Sequence, residues 1–384
     1  MTDQLDLSAL PFVDAHMHPP YRTPPADLAA YRWPWYEGDP ADVALVADTA
    51  AYRWAIRQLA ADLGCASDEE AVFEAVRARE PRAWLREQLV RGGVAGLVAD
   101  MGYPPPADTF SPAELGEAGT DVAPLLRIEL EAGVLAAECT TFDEFVDRVD
   151  ALLAGARTAG YMGLKSVLAY RSGLGVEPAS PTQAQSAYMR VRATADGTSP
   201  LFLNEKPLLD FLFERALLVA RREDMAMQVH AGYGDRDMDL PHCNPWLLRA
   251  LLERSEVARS VPIVLLHGSF PYTGEAAVLA AIYPNVYFDV ATCVPPFTEA
   301  IQLDIWRTAL AMVPLTRIHA STDAAGLAEQ IALGARQARR TLAIALAELI
   351  EADVLDAREA EQVAADVLAG TARRIYFSQE SGGT

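Results

Sequence analysis

Lysine is almost missing from this chain of 384 residues: of 32 basic side chains only Lys165 and Lys206 are lysines, and the rest are arginines. Positive charge as a whole is short, with 53 acidic residues against 32 basic ones and a formal net charge of −21. Nucleic acid and anionic membrane surfaces both require a basic face, so neither is expected as a partner. Histidine is scarce at six and cysteine at four. Cys65, Cys139, Cys243 and Cys293 lie far apart without a CxxC spacing, so free thiols are expected rather than a disulfide framework or a thiolate zinc site. No uncharged apolar run approaches the roughly 18 residues that a membrane span needs. The opening Met-Thr-Asp-Gln-Leu-Asp-Leu-Ser lacks the basic and long apolar regions of a signal peptide, which makes the cytoplasm the expected address.

What the chain does have is apolar substance, 51% of its residues, enough for a large core. Short runs rich in Val, Ile, Leu and Ala alternate with helical patterns. The strand candidates are Phe12 to His16, Gly96 to Met101, Leu125 to Leu130, Gly163 to Leu168, Ala226 to His230, Ile263 to His267, Val286 to Val290 and Arg317 to Ser321. Such runs are typical of strands covered on both faces, and eight of them predict a (β/α)₈ TIM barrel of the α/β class over residues 1–384. Helices are expected at Phe142 to Ala156, Pro207 to Arg222, Asn244 to Leu252 and Gly326 to Leu349. Residues 19–90 are far too long for one strand-to-helix connection and read as a helical insertion after the first strand. Its Trp33, Trp35 and Tyr36 either cap a substrate pocket, with Trp35 as a substrate-binding wall, or pack the insertion against the barrel. The polar tail 378–384 is expected to be disordered.

The rare histidines fall in one pattern. His16 and His18 close the first strand candidate, and on a strand residues i and i+2 leave the same face, so the two imidazoles form half of a metal site. Lys165 lies in the fourth strand, His230 ends the fifth, His267 ends the sixth, and Asp323 follows the eighth. The C-terminal strand ends are where this barrel builds its sites. Tyr170 and Arg171 follow the fourth strand directly, and an arginine at the rim suits a bidentate grip on a substrate carboxylate. Asp100 and Asp289 are placed to orient ligating histidines. His242 belongs to a loop, and His319 lies inside the last strand as a core residue.

These residues resemble the amidohydrolase superfamily of metal-dependent hydrolases. The H-x-H, the strand-ending His230 and His267, and Asp323 carry the likeness, which extends over nearly the whole chain. Gly163-Leu-Lys-Ser-Val-Leu-Ala-Tyr-Arg-Ser-Gly-Leu174 is similar to the amidohydrolase-2 branch, and Leu368 to Phe377 is similar to that family's C-terminal helix, with Thr371 where asparagine is usual. The resemblance implies metal ligands at His16, His18, Lys165, His230, His267 and Asp323, with Asp323 and His267 catalytic. His267 would bind a second metal or orient the substrate carbonyl. It further implies one or two divalent ions, Zn²⁺ by preference, and carboxylated Lys165 as a bridging ligand in a two-metal version. An unmodified lysine, ion-paired to Asp100 or Glu129, is the alternative.

The chemistry expected is hydrolysis of an amide, cyclic amide, ester or lactone of a small molecule, since imidazole and carboxylate donors hold a cation that brings the pKa of bound water to about 7. The branch also contains decarboxylases, and a barrel that has lost turnover and serves as a binding or assembly module is the non-enzymatic alternative. A homodimer is expected from the resemblance.

Overall fold

Short apolar runs paired edge to edge satisfy their backbone groups as strands. In the computed structural model, which describes residues 5–195, 197, 200–291 and 297–377, they are β1 (Phe12–Met17), β2 (Val94–Asp100), β3 (Asp121–Arg127), β4 (Gly163–Ser166), β5 (Ala226–Val229), β6 (Ile263–Leu265), β7 (Val286–Ala291) and β8 (Ile318–Ser321). They lie in one sheet in chain order, and with the helices between them they form the expected (β/α)₈ barrel. Every residue of β1, β4, β5, β6 and β8 is buried, as a parallel sheet covered on both faces requires. Cys65, Cys139 and Cys243 are free thiols, while Cys293 and the tail 378–384 lie outside the described residues. No helix among the described residues is long and apolar enough to cross a membrane.

The chain divides into two compact units, Met1–Val122, Gly234–Arg236 and Asp289–Arg374 in the first, Ala123–Tyr233, Asp237–Phe288 and Ile375–Thr384 in the second. In the first unit, β1 and β2 pair in parallel, and β1 is continued toward β8 by bonds from Asp323 N to His16 O (2.9 Å) and from His18 N to Ala324 O (2.7 Å). The insertion also belongs to this unit. It contains helices Leu28–Arg32, Ala50–Leu63, Glu69–Arg77 and Pro81–Arg91, and is fastened to the long helix Ala328–Glu351 by polar contacts. Arg336 grips Asp62 with two bonds (2.9 and 2.6 Å), Gln330 donates to Pro34 O (2.9 Å), and the Trp84 indole donates to Glu329 (2.9 Å).

Three expectations need correction. The run Leu125 to Leu130 alternates like a strand, yet β3 stops at Arg127 and helix Ile128–Glu138 begins at once. Ile128, Ala132 and Ala136 bury one helical face, and Glu129 and Glu131 favour the helix N-terminus, so the 3.6-residue period wins. The sixth strand ends at Leu265, because His267 takes a left-handed backbone with φ 62° that a strand cannot hold. Asn244 to Leu252 splits into a 3₁₀ turn, Pro245–Leu248, and a short helix, Arg249–Arg254.

The segments following β1 and β2 are tied together by Glu114, which caps its own helix through Ser111 and accepts from Arg22 (2.8 Å) and Arg82 (2.6 Å). The Arg22 bond, helped by Ser111, holds this carboxyl down at about 2. A depressed acid stabilises the fold above its unfolded pKa of 4.5 and loses that contribution as pH falls toward about 2. Glu114→Gln should therefore lower the thermal midpoint at pH 7 by about 2 °C, with a narrower gap at pH 3; an equal gap at both pH values, by calorimetry, would contradict the ion-pair account.

Candidate metal centre

In the first unit the period of two on β1 puts Asp14, His16 and His18 on one face. Asp323, just past β8, has φ 53°. Its Oδ1 lies 3.3 Å from His16 Nε2 and 3.4 Å from His18 Nε2. The two imidazole rings are edge to face with centroids 5.0 Å apart. Asp100, at the end of β2, faces the other nitrogen of His18 at 3.9 Å, and one donor atom from each of His16, His18 and Asp100 falls within 4.8 Å of the other two. All four side chains are buried. Burying two carboxylates beside two imidazoles is costly unless the carboxylates meet positive charge, and nitrogen and oxygen donors so spaced fit a divalent cation. Below them Asp14 accepts from Thr322 N (2.8 Å) and from the Thr322 hydroxyl. Burial pushes the Asp14 carboxyl up to about 8, against the Thr322 bonds and with the help of the Asp289 charge.

The second unit carries Lys165, Tyr170, Arg171, His230 and His267. Lys165 is 1% exposed and sits in register with Arg127 on β3 and Gln228 on β5. Beside it, buried Glu129 accepts from Ser166 Oγ (2.6 Å) and Val167 N (3.0 Å), fixing the chain where it leaves β4. Burial raises the Glu129 pKa, and these bonds oppose the rise. His230 Nδ1 lies 2.9 Å from His267 Nε2 and 3.4 Å from Tyr170 Oη, so the three side chains form one polar row. The loops beneath them approach closely: Gly232 has φ 80°, and a Cβ there would fall 2.4 Å from Phe270 O, so only glycine fits. Arg171 lies 3.8 Å over the Phe202 ring, and burial lowers its pKa.

The other expectations from the sequence resolve as follows. Trp35 is 1% exposed and packs edge-on against Tyr52, 5.8 Å between centroids, inside the insertion. Asp289 faces His319 Nδ1 (3.0 Å), and His319 is fully buried in β8. His242 is exposed in its loop. The sequence reading passes over Tyr103, whose ring meets His18 edge-on at 5.4 Å, and Glu37 of the insertion. Glu37 is pushed well above the usual carboxyl range by burial, then by its hydrogen-bonded neighbour Asp235 and by the Asp323 charge. Its backbone carbonyl is held by Arg236 N at 2.9 Å. Glu37 and Tyr103 sit in loops with no periodicity to betray them; the only signal was that both loops follow strands that end in candidate ligands.

No protein-family model matches the chain. It is 33% identical over 255 residues to the protein fluG of Emericella nidulans, a stretch that covers 64% of this chain and 29% of that protein. Thus the chain spans less than a third of the length of the curated relative it matches. Among solved structures it is similar to a candidate metal-dependent hydrolase from Lactobacillus casei, with 25% identity, a TM-score of 0.86 and 96% of each chain covered. A uronate isomerase from Thermotoga maritima shares the fold at 14% identity, with a TM-score of 0.68 over 96% of this chain and 95% of that one.

Removing the Glu129 acceptor leaves a buried hydroxyl and a buried amide without their partner. Glu129→Ala should cost about 1–3 kcal/mol in urea unfolding; an unchanged midpoint would show that Glu129 does not hold the end of β4.

Proposed function

We propose that the chain is a metal-dependent hydrolase of the amidohydrolase type, cleaving the carbon–nitrogen bond of a small amide or cyclic amide. One observation carries this reading: a single carboxylate oxygen, Asp323 Oδ1, meets both imidazoles of the H-x-H at 3.3 and 3.4 Å. The likeness to the Lactobacillus casei protein over 96% of both chains supports it.

His16, His18 and Asp323 would hold the cation, and zinc suits imidazole and carboxylate donors. Lys165, His230 and His267, in or just past β4, β5 and β6, are a second set of candidate ligands, and the C-terminal strand ends are where this barrel builds its sites. When bound, a divalent cation supplies Lewis acidity and brings the pKa of water at the site to about 7. Asp323 accepts the proton of the attacking water and returns it to the leaving nitrogen. His267 orients the scissile carbonyl, and Tyr170 steadies His230. Arg171, placed 3.8 Å over the Phe202 ring, grips an anionic group of the substrate. Trp35 supports the wall of the site from within the insertion rather than by direct contact.

Lys165 is assigned as a carboxylated lysine. A buried ammonium in register with the Arg127 residue is unfavourable, and conversion to a carbamate replaces a cation with an anionic donor.

Zinc-supplemented protein should retain at least one metal per chain by mass spectrometry of the metal, hydrolyse members of an N-acyl and cyclic-amide panel, and show an added carbon dioxide at Lys165 by native mass measurement. His16→Ala and Asp323→Asn should each abolish hydrolysis. Less than one metal per chain after supplementation would overturn the enzyme reading in favour of a binding module. Release of carbon dioxide from carboxylated substrates without hydrolysis would replace hydrolysis with decarboxylation.

A further inference from the structure

Asp323 stands in a backbone conformation that a non-glycine residue adopts rarely and only when its surroundings hold it there. With φ 53° it stands two residues past the end of β8, so something must turn the chain and keep it turned. The structure provides two buried carboxyl groups, one on each side of β8. From β7, Asp289 accepts from Ser321 Oγ at 2.9 Å and lies 3.0 Å from His319 Nδ1, gripping two residues of the same strand face. From β1, Asp14 accepts from the Thr322 amide at 2.8 Å and from the Thr322 hydroxyl. The same hydroxyl oxygen accepts from Ala324 N at 3.1 Å, closing a small turn around Asp323. The Asp323 amide then donates to His16 O, and Ala324 O accepts from His18 N, so the turned residue is stitched to both histidine positions. Asp14, Asp289, Ser321 and Thr322 are all fully buried, where hydrogen bonds are short of competing water.

We infer that Asp14 and Thr322, with Asp289 and Ser321 as the opposite arm, form a clamp whose task is to aim the Asp323 carboxylate at His16 and His18. They are positioning residues: none donates to the cation, and each acts through the Asp323 backbone. The inference rests on the metal-site reading above and deepens it, since it makes affinity for the cation depend on a hydroxyl that never touches it.

Thr322 allows a test at almost constant volume. Thr322→Val removes the hydroxyl that both donates to Asp14 and accepts from Ala324, whereas Thr322→Ser keeps it. Zinc affinity is measured on full-length protein by competition with a chromophoric chelator, alongside the thermal midpoint of the zinc-free protein. Thr322→Val is expected to weaken zinc binding about 10–100-fold, the range seen for groups that orient metal ligands, and to lower the zinc-free midpoint, because buried Asp14 and Ala324 N lose a partner, while Thr322→Ser stays close to wild type in both. Should Thr322→Val fail to fold, Ser321→Ala cuts the Asp289 arm alone and is expected to weaken zinc binding in the same direction. Wild-type affinity in Thr322→Val, or in Ser321→Ala where it is the variant read, overturns the clamp and leaves the metal site standing. A wild-type protein that binds no zinc overturns both. Loss of affinity in Thr322→Ser equal to that in Thr322→Val also overturns it, because the hydroxyl would then not be the cause.

Discussion

The meeting of one carboxylate with two imidazoles depends on a backbone that has to be forced. Asp323 can point its Oδ1 at His16 and His18 only because it leaves β8 in the left-handed region. Conformations of this kind cost about 1–3 kcal/mol each and persist where the surroundings over-determine them. His267 and Ser269, after β6, adopt the same region with φ 62° and 49°. Strain is thus stored where strands with candidate site residues end, on a framework of short, buried strands stiff enough to bear it.

That framework follows from chemistry legible in the chain. Short runs apolar on both faces become parallel strands, and eight of them with intervening helices make the barrel. The insertion after β1 is fastened to helix Ala328–Glu351 by Arg336, Gln330 and Trp84, so the first and last parts of the chain support the same candidate ligands. Buried polar groups in the first unit, Asp14, Asp289, His319, Ser321 and Thr322, do what an apolar core cannot. They fix direction, because a hydrogen bond has a geometry and a methyl contact does not.

The eight strands and the approach of His16, His18 and Asp323 to one another could be read in advance, since strand period and strand-end placement are local properties of sequence. Leu125 to Leu130 misled because Leu-Arg-Ile-Glu-Leu-Glu alternates like a strand while its apolar residues also fit a helical face once Ile128 is buried. The end of β6 was overrun because nothing in the residues themselves announces a left-handed His267. Glu37 and Tyr103 were invisible for a different reason: their proximity to Asp323 and His18 arises from loops brought together only by the fold. Trp35 was ambiguous between pocket and packing, and its burial against Tyr52 could not be known before the insertion folded.

The central claim is that His16, His18 and Asp323 together hold a cation. Anomalous scattering at the zinc edge, from crystals of the full chain grown with zinc, tests it most directly. The account predicts a peak about 2.0–2.2 Å from His16 Nε2, His18 Nε2 and an Asp323 carboxylate oxygen. A zinc-saturated crystal with no peak among these three side chains, or with its ion held elsewhere, would contradict it.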